Sequence, residues 1–214
     1  MIQKTIKVRL TLQEEMLGMM PQGDIHEKYI ASKAPDASTI EDEIEAVGLA
    51  EVVRQGITVF PRLEDGTPFY YNYQIKGMFK GACSNLAKAT GKDPETGKKA
   101  KAVNESSKLT AFKKNISGLL FVQPRKIPII LPNKPKQLST CSRPLRASTP
   151  QGERISIASS EVIPAGSYIE FEIELFSIDM YPAVKEWLDY GKWYGLGQWR
   201  NSGKGIFTWE ELTA

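Results

Sequence analysis

The chain opens on strict alternation, with Ile6, Val8, Leu10 and Leu12 on one side of an extended run and Lys7, Arg9 and Thr11 on the other. A period of two predicts a half-buried strand over 2–12. A second alternation, over 167–176, sets Ile169, Phe171, Ile173 and Leu175 against Glu170, Glu172 and Glu174, which gives one apolar and one acidic face. Together with 154–163 and the turn Pro164-Ala-Gly166, it reads as a hairpin. Helical spacing takes over elsewhere. Val184, Trp187 and Leu188 predict a helix from Tyr181 to Tyr190, and 75–90 predicts another with Lys76 and Lys80 in its first turns. Ser38 and Glu41 form a capping box that opens a helix running to Val53. Residues 57–60 and 69–73, joined through Glu64-Asp65-Gly66, read as a hairpin. A short helix at 109–115, a strand at 118–122, a proline-punctuated edge strand and turn at 124–135 and a last strand at 206–209 complete the pattern.

With 13–74 and 91–153 set aside as two long insertions, the remaining order is strand, helix, strand, strand, helix, strand. This is the split-βαβ plan of an α+β, ferredoxin-like (RRM-like) βαββαβ core, in which 154–163 supplies the second strand. No repeat or linker divides the 214 residues, so a single domain is expected.

Composition narrows the class. A hydrophobic share of 41% fits a globular chain with its own core. The apolar runs are too short to span a membrane, and Met1-Ile-Gln-Lys-Thr5 lacks a signal-peptide core, so a cytoplasmic protein without membrane contacts is expected. Cys83 and Cys141 stand far apart, and His26 is the sole histidine. Neither a metal site nor a cofactor is expected from such a set, and the cysteines read as buried free thiols.

Net charge is only +3, but the charges are segregated. Acidic residues dominate 13–53, whereas 113–146 carries eight lysines and arginines and no Asp or Glu. A basic stretch of this kind is a footprint for polyanions if it gathers on one face, and otherwise a solvated surface.

The segment with the most specific chemistry is Gly195-Leu-Gly197-Gln-Trp199-Arg200-Asn-Ser-Gly203-Lys204-Gly205, which connects the last helix to the last strand. Glycines allow backbone amides to converge on a phosphate, Arg200 and Lys204 add charge, and Trp199 offers a stacking face. A flexible surface loop has the same composition.

Three stretches resemble the RAMP superfamily, the repeat-associated RNA-binding proteins of CRISPR antiviral defence, and within it the backbone subunits of effector complexes. Ile75-Lys-Gly77-Met-Phe-Lys80-Gly81-Ala82 is similar to the family's Ile-Pro-Gly-Ser-Ser-Leu-Lys-Gly-Ala helix start, with Lys76 at the proline and one residue fewer. Glu161-Val-Ile-Pro164-Ala-Gly166-Ser-Tyr-Ile169 resembles the Glu-x-Val-Pro-x-Gly-x-x-Phe turn, and the paired Gly-x-Gly resembles the signature glycine-rich loop. The resemblance implies binding of single-stranded RNA along the sheet face and the loop, as one subunit of a ribonucleoprotein with other protein subunits or further copies as partners. Its RNA-binding candidates are Lys76, Lys80, Gly195, Gly197, Trp199, Arg200, Gly203, Lys204 and Gly205.

Two other functions remain open. Some relatives cut RNA with an aspartate in the loop after the first strand, where Asp24 and Asp36 lie, and others use a histidine, for which His26 stands beside Lys28 and Tyr29. These would serve a metal-independent endoribonuclease. A RAMP-derived interaction protein of a mobile element, phage-borne or anti-CRISPR-like, would use the acidic 13–53 segment on a basic partner.

Overall fold

The computed structural model describes residues 2–21, 57–89, 104–133, 137–149 and 152–213. It is a mixed α and β structure with two largely antiparallel sheets, and it divides into two compact units. The first holds Met1–Met16, Arg62–Lys134 and Pro164–Ala214; the second holds Leu17–Pro61 and Pro135–Ile163. The capped helix expected at Ser38 lies outside the described residues.

The first unit is built on β1 (Lys4–Leu12), β5 (Phe69–Tyr71), β6 (Leu120–Gln123), β7 (Lys126–Ile130), β10 (Tyr168–Leu175) and β11 (Phe207–Leu212). The sheet order is β11-β1-β10-β7-β5, with β6 also on β10. β1 is central because its alternation lets Ile6, Val8 and Leu10 face Ile173, Phe171 and Ile169 on β10, all buried on one side. That apolar face is covered by α1 (Asn72–Leu86) and α4 (Tyr181–Tyr194), with α2 (Glu105–Lys108) and α3 (Phe112–Leu119) packed beside α1. α1 buries Ile75, Met78, Phe79, Ala82 and Cys83, and α4 buries Ala183, Val184, Trp187, Leu188 and Gly191, so both helices present the expected 3.6-residue stripe. Phe79 and Trp187 meet at 5.5 Å between ring centroids at the centre of this layer.

A polar cluster fastens α2 to the helices. Asn104 caps α2 through the Ser107 amide and donates to the Leu86 carbonyl at the end of α1. The Glu186 carboxylate on α4 accepts from the Glu105 and Ser106 amides and from the Ser106 hydroxyl, which in turn accepts from the Trp187 indole at 2.9 Å. Ser106 is buried, so Glu186→Ala strands donors that water cannot reach. The expected loss is about 2 kcal/mol, read as a lower urea midpoint with unchanged slope.

Several elements pair differently from the expectation. β9 (Gly152–Ile163) and β10 both form, and Pro164-Ala-Gly166 turns between them, but they are not partners. β9 belongs to the second unit, where it pairs along its length with β8 (Ser139–Thr149), from Ser139 opposite Val162 to Thr149 opposite Gly152. The neighbours of β10 are β1 on one side and β6 and β7 on the other, so 154–163 does not supply the second strand of the first sheet. The Glu64-Asp65-Gly66 turn also forms, yet β4 (Thr58–Val59) joins β9 and β3 (Met20–Pro21), whereas β5 joins β7. β7 is therefore interior, with β5 outside it.

The second unit's sheet runs β2 (Met16–Leu17), β9, β4, β3, with β8 on β9. Glu161 fixes the β4 end by accepting from the Phe60 amide at 2.9 Å. Cys83 is buried, Cys141 is half-buried, and both are free thiols. Among the described residues no helix is long and apolar enough to cross a membrane.

Candidate nucleic-acid interface

The glycine-rich segment follows α4 and is folded against the first unit by its own backbone. The Leu196 amide donates to the Gly205 carbonyl, and the Gly205 amide to Glu15 just after β1, each at 2.8 Å. Gly195 donates to Gly191 and Gly203 to Arg200. The Gly197 amide donates to the Tyr70 hydroxyl at 3.3 Å. The amides of residues 195, 196, 197, 203 and 205 thus find acceptors inside the protein. Leu196 is buried between the two ends of the loop. A Cβ on Gly205 would fall 1.9 Å from the Leu196 carbonyl oxygen, at a φ of +73° that L side chains rarely adopt. The close approach that these glycines permit is to the protein's own backbone.

The charged and aromatic members divide. Lys204 forms an ion pair with Glu15. Arg200 lies over the Tyr194 ring, 4.2 Å from its centroid, and Trp199 is exposed at φ 57°. An open pocket of about 330 Å³ is lined by residues 197–201.

α1 starts at Asn72, where the Gln74 side chain accepts from the Tyr71 amide, so Lys76 and Lys80 sit inside the helix and away from its N-terminus. Lys76 donates to the Ser117 carbonyl at 3.0 Å and lies over Phe121, and burial, with Lys80 nearby, pulls its pKa below the ordinary lysine value. Lys80 is half-buried on the outward side of the helix. Gly81 faces α4, where the Tyr194 hydroxyl occupies the space a Cβ would need. At 100° per residue, Lys76 and Gly81 lie about 140° apart on opposite flanks of α1. The structure therefore sets Gly81, Tyr194 and Arg200 together on the α4 side of α1 and turns Lys76 toward α3, with Lys80 between the two flanks, about 40° around the helix from Lys76 and about 100° from Gly81. His26 and Asp24 lie outside the described residues.

Tyr70 was invisible as a site residue in the sequence, where Phe69-Tyr70-Tyr71 reads simply as a strand. It is buried, and burial pushes its hydroxyl up to about 12, opposed by the Gly197 amide and by Arg200. A raised folded-state pKa favours the neutral phenol, so its contribution to stability is complete below the unfolded value near 10 and is lost as pH climbs from 10 to 12. The urea midpoint of the wild type should fall across that window, and Tyr70→Phe should remove part of the fall.

The open face of the sheet has the opposite character. Arg9 is paired in register with Glu170 on one side and Glu210 on the other, and bonds both carboxylates. Lys7 faces Glu172, and Thr5 faces Glu174. On β1, β10 and β11 four carboxylates thus stand against two cations. A polyphosphate laid across these strands would meet net negative charge.

No protein-family model matches the chain, and no curated protein sequence matches it. Solved structures do. The chain is similar to a chain of a type IV-B CRISPR complex, with a TM-score of 0.51 and 14% identity over 99% of this chain and 91% of that one. It is similar to Cmr6 from Pyrococcus furiosus, with a TM-score of 0.51 and 11% identity over 96% and 97%. It also matches a chain of a type III-B Cmr-beta complex bound to cognate target RNA, with a TM-score of 0.47 and 13% identity; 98% of this chain spans 58% of that longer one. At such identities the likeness is one of fold: this chain is folded like Cmr6 and like a chain of a type IV-B CRISPR complex.

Proposed function

We propose that the chain is a RAMP-type subunit of a CRISPR or related ribonucleoprotein, and that it binds single-stranded RNA through phosphate contacts. The observation that carries this reading is the likeness in fold, across nearly the whole length of both chains, to a chain of a type IV-B CRISPR complex. The strand order supports a ferredoxin-like core in which β1, α1, β6 with β7, β10, α4 and β11 follow one another, the second strand being split in two. Lys80 and Arg200 on the helical side supply the cations for phosphate, and other subunits or further copies of the chain complete the particle. The glycine segment serves as the scaffold that holds Arg200 and Trp199 outward.

The test is retention of labelled single-stranded RNA by purified chain over a salt series. Binding that weakens steeply and log-linearly with salt supports the reading; no retention in dilute buffer overturns it.

The acidic open face favours one second reading, an interaction protein that meets a basic partner there. Capture of a basic subunit, abolished by Glu172→Lys and unaffected by RNA, would establish it. Cleavage of RNA in EDTA that is lost in His26→Ala would instead mark the chain as an endoribonuclease.

A further inference from the structure

We infer that the outward side of the α1 and α4 layer is a stacking platform for unpaired bases of single-stranded RNA, and that the strand runs over the helices and not over the open sheet face. The inference rests on the RNA-binding reading above and deepens it, because it assigns base contacts to residues that phosphate chemistry does not require.

Exposed aromatics gather where the cations are. Trp193 is 71% exposed and Tyr73 53% exposed, more than any buried-core role would leave open. Trp193 continues a row on α4: Tyr190 lies 6.5 Å from it and stacks on Tyr194 at 5.5 Å, and Tyr194 carries the Arg200 guanidinium. On α1, Tyr73 and Lys80 are seven residues apart and so share one outward stripe. The two helices meet where the Tyr194 hydroxyl packs against Gly81, about 100° around α1 from Lys80. Tyr73 and Arg200 also both act electrostatically on the Tyr70 hydroxyl that holds the glycine segment, which places both near that anchor.

Aromatic rings interleaved with cations are what sequence-tolerant single-strand binding needs, because every base has a π face and every linkage a charge. The opposite side of the sheet offers the reverse, with Glu170, Glu172, Glu174 and Glu210 outward.

The experiment compares a short oligoadenylate with an abasic ribose-phosphate oligomer of the same length, by fluorescence anisotropy on the full chain. The oligoadenylate is expected to bind about tenfold more tightly, and Trp193→Ala and Tyr73→Ala each to remove most of that preference while leaving abasic binding unchanged. Trp193 is largely exposed, so its variant should melt like the wild type, whereas Tyr73 also stacks on Tyr71 at 5.0 Å and its alanine variant should melt slightly lower. Tyr73→Leu serves if the alanine variant does not fold. Photocrosslinking of thiouridine-containing RNA to the wild type should mark peptides of α1 and α4. Equal affinity for the abasic oligomer would overturn the platform and leave the phosphate reading standing. Crosslinks on β1 and β10, with binding weakened by Lys7→Ala, would overturn the helical route. A chain that retains no RNA at all loses the platform together with the reading it rests on, and so does one whose Trp193 proves necessary only for self-association.

Discussion

Gly205→Ala should lower the melting temperature by about 10 °C, while Gly203→Ala, two residues away in the same loop, should lower it by about 3 °C. Both glycines hold positive φ, +73° and +83°, so both alanines incur the left-handed penalty of about 1–2 kcal/mol. They differ in surroundings. Nothing lies within 4 Å of a Cβ built on Gly203, whereas one on Gly205 would sit 1.9 Å from the Leu196 carbonyl oxygen and 2.8–2.9 Å from that residue's carbonyl carbon and nitrogen. These are backbone atoms, so no side chain can swing aside. Relief requires opening the Leu196 to Gly205 bond and the Gly205 to Glu15 bond, and moving a buried leucine with them. Two hydrogen bonds at about 1 kcal/mol each, added to the strain, bring the expected cost to about 3–4 kcal/mol. Differential scanning of the two variants separates a loop whose glycines serve its own closure from a pliable one, in which both alanines would cost alike.

The same contrast shows what could be read along the chain and what could not. β1, β10, α1 and α4 were legible because each is half-buried, and burial of one face writes a period of 2 or 3.6 into the sequence. The acidic outward face of β10 was legible for the same reason. Pairing was not. β10 is apolar on one face, β9 ends on the buried Val162 and Ile163, and a tight turn joins them, yet the longest register in the described residues runs between β9 and the polar β8, whose Cys141, Arg143 and Pro144 give no alternation. A turn fixes where the chain reverses; which sheet each arm then joins depends on residues far away. The glycine loop was legible as a turn with positive φ, but its acceptors were not. Glu15 lies 189 residues from Lys204 and Tyr70 lies 127 residues from Gly197, and nothing in either neighbourhood signals the other. Amides that look available for an anion in a sequence are the ones most readily used by the fold itself, because an unpaired buried donor is costly.

That distinction decides which cations matter, and it yields the largest functional effect to be expected. Lys80→Ala combined with Arg200→Ala should weaken binding of single-stranded RNA about tenfold to a hundredfold at low salt, across unrelated sequences. The log-log salt slope should become shallower by about 1.4, the release expected when two phosphate contacts are lost from a single strand. Lys204→Ala should behave differently, although Lys204 sits in the same loop. Its ammonium is already paired with Glu15, so it makes no phosphate contact to lose; its removal leaves the Glu15 carboxylate uncompensated beside the loop, which lowers affinity modestly without releasing a counterion from the RNA. Its variant should show a lower urea midpoint with a salt slope near that of the wild type. Glu172→Gln on the open sheet face is the control for long-range charge: at physiological salt it lies beyond effective reach of a strand on the helices, given a screening length of about 8 Å, and affinity should not move. If Lys204→Ala flattened the slope as much as the double variant does, the glycine segment itself would be the phosphate site and the helices merely its support. If Glu172→Gln strengthened binding several-fold, the RNA would have to cross the sheet, and the assignment of the two faces would be reversed.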